Sequence, residues 1–355
     1  MKLILNILDA ARPLFREGGR LAPFRPLFDA GDAFFFSPAT RTATAPHARD
    51  PLDVKRYMST VIIAVAPCIL AAVHYFGLRV LAMIVVSYAA GGVVEVAFAM
   101  VRKEEVNEGF LVTGMLFPLI LPPALPLWMV AVGMAFGVVV GKELFGGTGR
   151  NLFNPALVGR VFLALGYPKA MSGAWVEPGY GLFGRFFQWG ADAVSSATPL
   201  VAAKAGELIV LPRMLFGNVM GSAGETSALA ILLGGGFLLL IGIANWRTVA
   251  ATLGSFVLLS LGLHGGDVHV VLWHLMAGGL LFGAFFMATD PVTSPMTNAG
   301  KWIYGIIIGV ATALIRNLTG YVEGMMFAIL LGNIFAPVLD EIFVAARVRR
   351  LREEG

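Results

Sequence analysis

Repeated runs of about 20 apolar residues are the feature that most limits what this chain can fold into. Of its 355 residues, 57% are hydrophobic and only 14% are charged. A helix of about 20 apolar residues is long enough to cross the hydrocarbon core of a bilayer. The sequence therefore predicts an all-α polytopic membrane protein rather than a soluble domain.

Ten apolar segments divide the chain into five regions. Residues 1–56 are an arm, 57–166 hold five segments, 167–225 are a polar interval, 226–346 hold five more segments, and 347–355 are a basic tail. The segments are expected at 57–76, 78–101, 110–121, 124–144, 152–165, 226–244, 248–263, 270–288, 301–318 and 324–346.

Corresponding segments of the two halves are interrupted. The third segment ends in Pro118, Pro122, Pro123 and Pro126, the fifth is short, and the second half has a polar stretch at 290–295. Broken helices at membrane depth are stable where protein or water covers them, and in pairs they mark a central site. We expect about ten transmembrane helices in two inverted five-helix repeats with broken helices.

The basic residues predict the orientation of these helices. Nineteen of the 26 Lys and Arg residues lie in the arm, in the tail or in the loops on the same side as these. Because cytoplasmic loops carry the excess of basic residues, both termini are expected in the cytoplasm and the interval 167–225 on the outer face. The net charge of +4 then reports orientation in the membrane, so membrane lipid and no nucleic acid is the expected partner.

The polar interval contains a short island rich in hydroxyl groups, Asp-Ala-Val-Ser-Ser-Ala-Thr at residues 192–198, followed by Pro199. The Thr198-Pro199 pair predicts a helix start, with threonine at the cap and proline at the first helical position. A phosphate on this hydroxyl would meet unpaired backbone N–H groups. A plain helix cap is the alternative interpretation.

A glycine-rich run at residues 146–156 opens the fifth segment and lacks the Lys-Ser/Thr end of a phosphate loop. Asn151 and Asn154, three residues apart, are expected on one helical face. Their amides suit the ring edge of a neutral flavin or a quinone, with a helix cap and interhelical hydrogen bonds as the alternative. Gly114, in the third segment, would admit a flat ring or simply allow helices to pack.

Acidic residues at the ends of the segments are candidates for an ion path, since ionisable groups in a bilayer are costly and often functional. We select Asp290 in the polar stretch, Asp340 in the last segment and Glu108 before the third. Carboxylates and carbonyls freed by proline can coordinate sodium, although protons would use the same groups. The alternative is that these side chains extend outward and place their charges at the membrane–water interface.

Two of these motifs resemble a known family, NqrB/RnfD. The island is similar to the Asp-x-x-Ser-x-Ala-Thr motif at which its members carry flavin, in the sodium-translocating NADH:quinone oxidoreductase (NqrB) and in the Rnf complex (RnfD). Ser196 stands where the family usually has glycine. The resemblance extends through the glycine-rich run and residues 286–292, 300–305, 323–326 and 333–337, and it is closer to NqrB.

The resemblance implies a flavoprotein subunit of a larger complex in the bacterial inner membrane. FMN would be joined to Thr198 by a phosphoester, within a motif that includes Asp192, Ser195 and Ser196, and riboflavin would lie near Asn151 and Asn154. Electrons would pass toward ubiquinone, coupled to export of Na⁺. The implied partners are the other subunits, a flavin transferase, quinone and Na⁺.

Three alternatives remain. One is an RnfD-type subunit of a ferredoxin:NAD⁺ oxidoreductase. The second, from a different class, is a ten-helix solute channel or transporter without redox chemistry. The third is a purely structural anchor for other subunits. The single cysteine, Cys68, excludes a self-contained iron–sulfur site, and no NADH motif is present in the sequence.

Overall fold

A computed structural model describes Pro13 and Tyr321 together with residues 54–103, 109–190, 198–204, 209–319 and 324–354. The N-terminal arm other than Pro13, and the predicted site residues Glu108, Asp192, Ser195 and Ser196, lie outside this part of the chain. Within it, all regular secondary structure is helical.

The helices follow one another with short connections. In the first half they are α1 (Val54–Phe76), α2 (Arg79–Arg102), α3 (Gly109–Leu119), α4 (Leu127–Gly141) and α5 (Pro155–Gly166). Three six-residue helices follow, α6 (Pro168–Gly173), α7 (Pro199–Lys204) and α8 (Leu211–Phe216). The second half contains α9 (Ala228–Ile241), α10 (Trp246–Leu263), α11 (Val268–Met276), α12 (Leu280–Met287), α13 (Asn298–Leu318) and α14 (Met325–Glu354).

Every predicted apolar segment contains a helix, but helix length supports fewer than ten crossings. In the described part of the chain six helices are long and apolar enough to span a bilayer, or seven if the bent pair α11–α12 is one span. The helices α3, α5 and α9 have only 11, 12 and 14 residues. The protein is therefore an all-helical, multi-pass membrane protein, and the count of ten stays a prediction.

The eighth predicted segment is not one helix, contrary to expectation. Its two helices, α11 and α12, meet at an angle of 67°. Gly278 at the bend has φ +61°, a conformation that favours glycine. The Arg316 guanidinium donates to the carbonyl oxygens of His274 at 2.8 Å and Ala277 at 2.9 Å. The arginine thus pairs acceptors that the end of α11 leaves free.

The two halves pack their helices in the same order. In the first half α2 packs against α4 and α4 against α5, while in the second α10 packs against α13 and α13 against α14. The first helices of the halves, α1 and α9, pack on each other, and α5 also contacts α14. This equivalence supports the internal repeat. The inverted orientation of the two copies stays a prediction.

The end of the polar interval is folded into the bundle. The backbone N–H groups of Ala223 and Gly224 donate to the carbonyl oxygens of Leu121 and Leu119 at 3.0 and 2.7 Å. Leu119 is the last residue of α3, and Leu121 lies two residues beyond it in the proline-rich stretch that stops the helix. The pairing satisfies backbone groups at the break and brings Glu225 into the interior.

Candidate cofactor sites

A cavity between the two halves brings together several of the predicted site residues. It contains about 710 Å³ of empty space, counted together with the open solvent at its mouth. Asn151 and Asn154 line it from the connection before α5, Lys142 from the end of α4, and Asp290 from the connection after α12. The two amides predicted to bind flavin and one carboxylate predicted to lie on the ion path therefore share one cavity. We call it the inter-repeat cavity.

The two asparagines do not lie on a helical face, contrary to the prediction. Pro155 is the first residue of α5, so both amides belong to the connection before it. Asn154 is the helix cap: its side-chain oxygen accepts from the N–H of Ala156 at 3.0 Å. The Asn151 side chain donates to the carbonyl of Phe153 at 3.1 Å. Proline makes the helix start later than the three-residue spacing suggested.

Asn333 on α14 is a central residue that we did not select from the sequence. Its side-chain oxygen accepts from the backbone N–H of Asn154 at 3.3 Å. Its side-chain nitrogen donates to the carbonyl of Thr293 at 3.1 Å and to the Tyr304 hydroxyl at 3.0 Å. The buried amide thus links the start of α5 to the connection between α12 and α13 and to α13 itself. A polar residue inside an apolar helix was the signal available in the sequence.

The wall of the inter-repeat cavity offers polar groups that suit a neutral ring system. Thr113 on α3 faces the cavity, and the buried hydroxyl oxygen of Thr148 has no hydrogen-bond partner among the described residues. A ligand atom at Thr148 would supply the missing bond. The neighbouring Gly114 does not line the cavity. The ring that it admits is that of Tyr88, because an added Cβ would lie 2.7 Å from Tyr88 Cδ1.

The carboxylates of Asp290 and Asp340 shape the connection between α12 and α13. Asp290 accepts from the Thr293 hydroxyl at 2.8 Å, and Asp340 accepts from the Thr297 hydroxyl and from the N–H groups of Met296 and Thr297 at 2.6–2.9 Å. Only Asp290 also lines the inter-repeat cavity. Burial raises the pKa of the Asp290 carboxyl, while the bond from Thr293 opposes that shift.

Two ion pairs join α2 to the end of α4, and Lys142 of one pair lines the cavity. The Lys142 ammonium pairs with the Glu95 carboxylate, and the two side chains are 4% and 5% exposed. Arg102 pairs with Glu143 at 2.6 Å. A buried charge needs a paired partner, so these contacts compensate four charges within the protein. Both pairs join residues more than 40 positions apart, which no pattern in the sequence could have matched.

Thr198 borders a second, smaller cavity, which we call the threonine cavity. It contains about 380 Å³ of empty space. As predicted, a helix begins directly after Thr198, at Pro199, and its described part ends at Lys204. Ser222, Glu225 and Thr226 line the same cavity, and the Thr226 hydroxyl oxygen is buried without a partner among the described residues. The wall can therefore receive a polar group attached to the half-buried Thr198.

The two cavities lie at opposite ends of α1. Tyr57, which lines the inter-repeat cavity, donates from its hydroxyl to the carbonyl of Ile243 at 3.0 Å. At the other end, the Tyr75 hydroxyl donates to the carbonyl of Phe216 at 2.9 Å, next to the polar interval that contains Thr198. Eighteen residues of helix separate the two tyrosines, which corresponds to about 27 Å. This separation is close to the thickness of the hydrocarbon core.

Comparisons with known proteins agree with this architecture. Residues 41–349 match the family model described as "NQR2, RnfD, RnfE family". The chain is 41% identical to the B subunit of the Na(+)-translocating NADH-quinone reductase of Azotobacter vinelandii, with 98% of each chain covered. It is 40% identical to the protein of the same name from Ectopseudomonas mendocina, with 98% of each covered, and 38% identical to that from Pseudomonas aeruginosa, with 99% of each covered. The chain therefore belongs to the NQR2, RnfD and RnfE family.

Proposed function

We propose that this chain is the membrane subunit of a sodium-translocating NADH:quinone oxidoreductase and carries two flavins. FMN is joined to Thr198 by a phosphoester, and riboflavin occupies the inter-repeat cavity. The bound flavins supply electron transfer toward ubiquinone, and the complex couples this to export of Na⁺. The relatives' names support this assembly over an RnfD-type complex.

The observation that carries the proposal is the pair of cavities at opposite ends of α1, one bordered by Thr198 and the other by Asn151 and Asn154. A carrier that moves electrons across a bilayer needs a site near each face. A channel without redox chemistry has no use for a threonine at the mouth of such a pocket. The chain is placed in a bacterial inner membrane with both termini in the cytoplasm. Thr198 is then on the outer face, where the flavin transferase modifies it.

In the inter-repeat cavity the protein's own groups would bind and orient riboflavin. The Asn151 amide and the Thr148 hydroxyl, whose oxygen has no partner in the described part of the chain, supply hydrogen bonds to the ring edge. Phe286 and Leu116 supply apolar walls. The Lys142–Glu95 pair holds the ammonium group at the rim, so that the cavity has no uncompensated charge from this side.

The sodium path in this proposal uses Asp290 first, because its carboxylate is at the cavity. Asp340 contributes through the connection that both carboxylates shape, and Glu108, outside the described residues, is a third candidate. Oxygen ligands suit a hard cation. The raised pKa of Asp290 makes its charge responsive to a neighbouring cation.

The attachment site is tested by in-gel fluorescence of the denatured protein after coexpression with the flavin transferase. A covalent flavin survives denaturation, so the wild-type band should fluoresce under ultraviolet light. Thr198→Val removes the only hydroxyl that forms the ester, and we expect it to abolish the signal. The control is Thr252→Val, because the Thr252 hydroxyl is buried on α10 without a partner among the described residues.

A dark wild-type band contradicts the covalent flavin and favours a channel. A fluorescent Thr198→Val band shows that the ester is on another residue. Mass spectrometry of the peptide that contains Thr198 distinguishes these results from incomplete modification.

A further inference from the structure

The polar interval contains a loop whose side chains are mostly apolar and exposed. Residues 179–190 read Gly-Tyr-Gly-Leu-Phe-Gly-Arg-Phe-Phe-Gln-Trp-Gly, and we call this segment the aromatic loop. Its large apolar side chains are 37–87% exposed: Tyr180, Leu182, Phe183, Phe186, Phe187 and Trp189. The Phe187 ring contacts those of Phe183 and Phe186, with centroids 6.0 and 5.4 Å apart. A contiguous exposed patch of this kind indicates a surface that contacts a membrane or another protein.

The aromatic loop is held against the turn that joins α1 to α2. Two of its N–H groups donate to carbonyl oxygens at the end of α1, and two of its carbonyl oxygens accept from N–H groups at the start of α2, all at 2.7–2.8 Å. The pairs are Gly179–Tyr75, Arg185–His74, Gln188–Leu78 and Trp189–Arg79. Gly77 in the turn has φ +90°, and a Cβ there would lie 2.7 Å from the Gln188 carbonyl oxygen. The backbone contacts therefore fix the loop at the ends of both helices.

The ends of these two helices lie at a membrane boundary. Both α1 and α2 are long and apolar enough to cross a bilayer, and the turn is where one ends and the other begins. Arg79 Nη2 donates to the carbonyl oxygens of Ala124 and Leu125 at 3.3 and 3.1 Å, so the start of α4 lies beside the start of α2. There Trp128 contacts Tyr167, which follows α5, with ring centroids 5.6 Å apart. Trp and Tyr are enriched where a membrane meets water.

We propose that the aromatic loop docks on membrane lipid, with its rings at the level of the headgroups in the leaflet where α1 ends and α2 begins. Trp and Tyr combine an apolar body with a polar edge that suits this region, and Phe and Leu suit the acyl chains next to it. The one charged side chain of the loop, Arg185, is positive and matches anionic headgroups.

Lipid is favoured over a partner protein because the helices that hold the loop also expose apolar side chains close to it. Leu70 on α1 and Leu81 on α2 are 61% and 40% exposed, within two turns of the loop, as in lipid-facing spans. The same lipid can therefore cover these side chains and the loop. The inference does not depend on the flavins. It gives the polar interval that contains Thr198 a second attachment to the membrane besides the helices.

Photocross-linking identifies what covers the aromatic loop. p-Benzoylphenylalanine replaces Phe187 or Phe183, which are 76% and 63% exposed, so the larger side chain needs no buried space. The whole complex is purified with each variant and reconstituted into nanodiscs of phosphatidylethanolamine and phosphatidylglycerol with radiolabelled acyl chains. After irradiation, this chain is separated by denaturing electrophoresis and its label is counted. We expect both variants to take up label to within about twofold of a position in the middle of a lipid-facing span.

The two controls are one position in the bilayer and one in water. Val85→p-benzoylphenylalanine is the positive control, because Val85 lies within α2 and is 65% exposed. Glu353→p-benzoylphenylalanine is the negative control, because this side chain is 67% exposed near the end of the basic tail. It should take up about tenfold less label than the Val85 variant, since it lies beyond the predicted hydrocarbon core.

Label on the Phe187 and Phe183 variants as low as on the Glu353 variant overturns the proposal, because the loop is then in water. A cross-link to another subunit, seen as a band of higher mass that an antibody to this chain detects, also overturns it and makes the loop a protein interface. If one variant fails to assemble, the other decides the question, because both rings belong to one patch. These results are independent of flavin attachment, which the in-gel fluorescence of Thr198→Val tests separately.

Discussion

At the scale of single residues, the side chain of Asn333 joins parts of the chain that are far apart in sequence. It contacts the N–H of Asn154, the carbonyl of Thr293 and the hydroxyl of Tyr304. Asn333→Leu leaves these three groups without their partner inside the bundle. We expect a loss of about 2–3 kcal/mol, since unsatisfied buried groups cost about that much. Heat stability of the purified complex checks the loss of stability, and its riboflavin content should fall as well.

The comparison for this variant is Asn317→Leu on α13. Among the described residues, Asn317 donates only to the carbonyl of Ala313, four residues earlier, at 2.8 Å, and joins no separate elements. That helical carbonyl keeps its backbone partner, so the substitution should have little effect. Equal losses of stability in the two variants would show that Asn333 has no special role between the halves.

Asp290, also at the scale of single residues, bears on which ion the complex transports. Asp290→Asn removes the charge at the inter-repeat cavity but keeps the acceptor for Thr293. We expect the sodium concentration for half-maximal quinone reduction to rise about tenfold, which corresponds to about 1.4 kcal/mol. Turnover of the complex measured against sodium concentration tests this.

Asp267→Asn is the matched control for Asp290→Asn. Asp267 is an exposed cap of α11, and asparagine caps a helix about as well as aspartate. An unchanged sodium requirement in Asp290→Asn would remove this residue from the ion path. If quinone reduction depended on pH and not on sodium concentration, the result would favour protons as the transported ion.

At the scale of helices, the contact between the two halves depends on a glycine in α9. A Cβ added at Gly234 would overlap the carbonyl oxygen of Ala64 on α1. Small residues let helices in a bilayer approach this closely. We expect Gly234→Ala to cost about 1–3 kcal/mol through overpacking, despite the better helix propensity of alanine. Heat stability of the complex measures the cost.

Gly236 provides the control on the same helix. A Cβ there would have no neighbour within 4 Å, so Gly236→Ala keeps the gain in helix propensity without the clash. We expect it to be neutral or slightly stabilising. A stable Gly234→Ala protein would mean that α1 and α9 can separate without loss.

These elements also show what the sequence can predict. All ten apolar segments contain helices, because burial in a bilayer leaves a long compositional signal. The 67° bend within residues 270–288 was not predicted, since glycines are common in spans and this run is apolar on both sides of them. The ion pair of Arg160 and Glu225 was also missed, because the two residues are 65 positions apart and only the packed bundle brings them together.

At the scale of the whole molecule, the orientation of the bundle in the membrane decides which face each of the two cavities is near. The inter-repeat cavity is at the end of α1 near the basic N-terminal side, and Thr198 is near the other end. If the chain crosses the membrane ten times, Thr198 is outside and the tail is inside. Since six or seven helices have the full length of a span, the sidedness needs a direct test.

Cysteine labelling can determine this sidedness because the chain has one cysteine, Cys68, which is buried in α1. In a Cys68→Ala background, single cysteines replace Ser172 in the polar interval and Arg349 in the tail, both exposed positions. A membrane-impermeant maleimide should label Ser172→Cys in intact spheroplasts and Arg349→Cys only after permeabilisation. Five predicted crossings separate the two positions, and an odd number requires opposite sides. Labelling of both from outside would mean that one short helix, α9 for instance, does not cross, so that the tail faces the exterior.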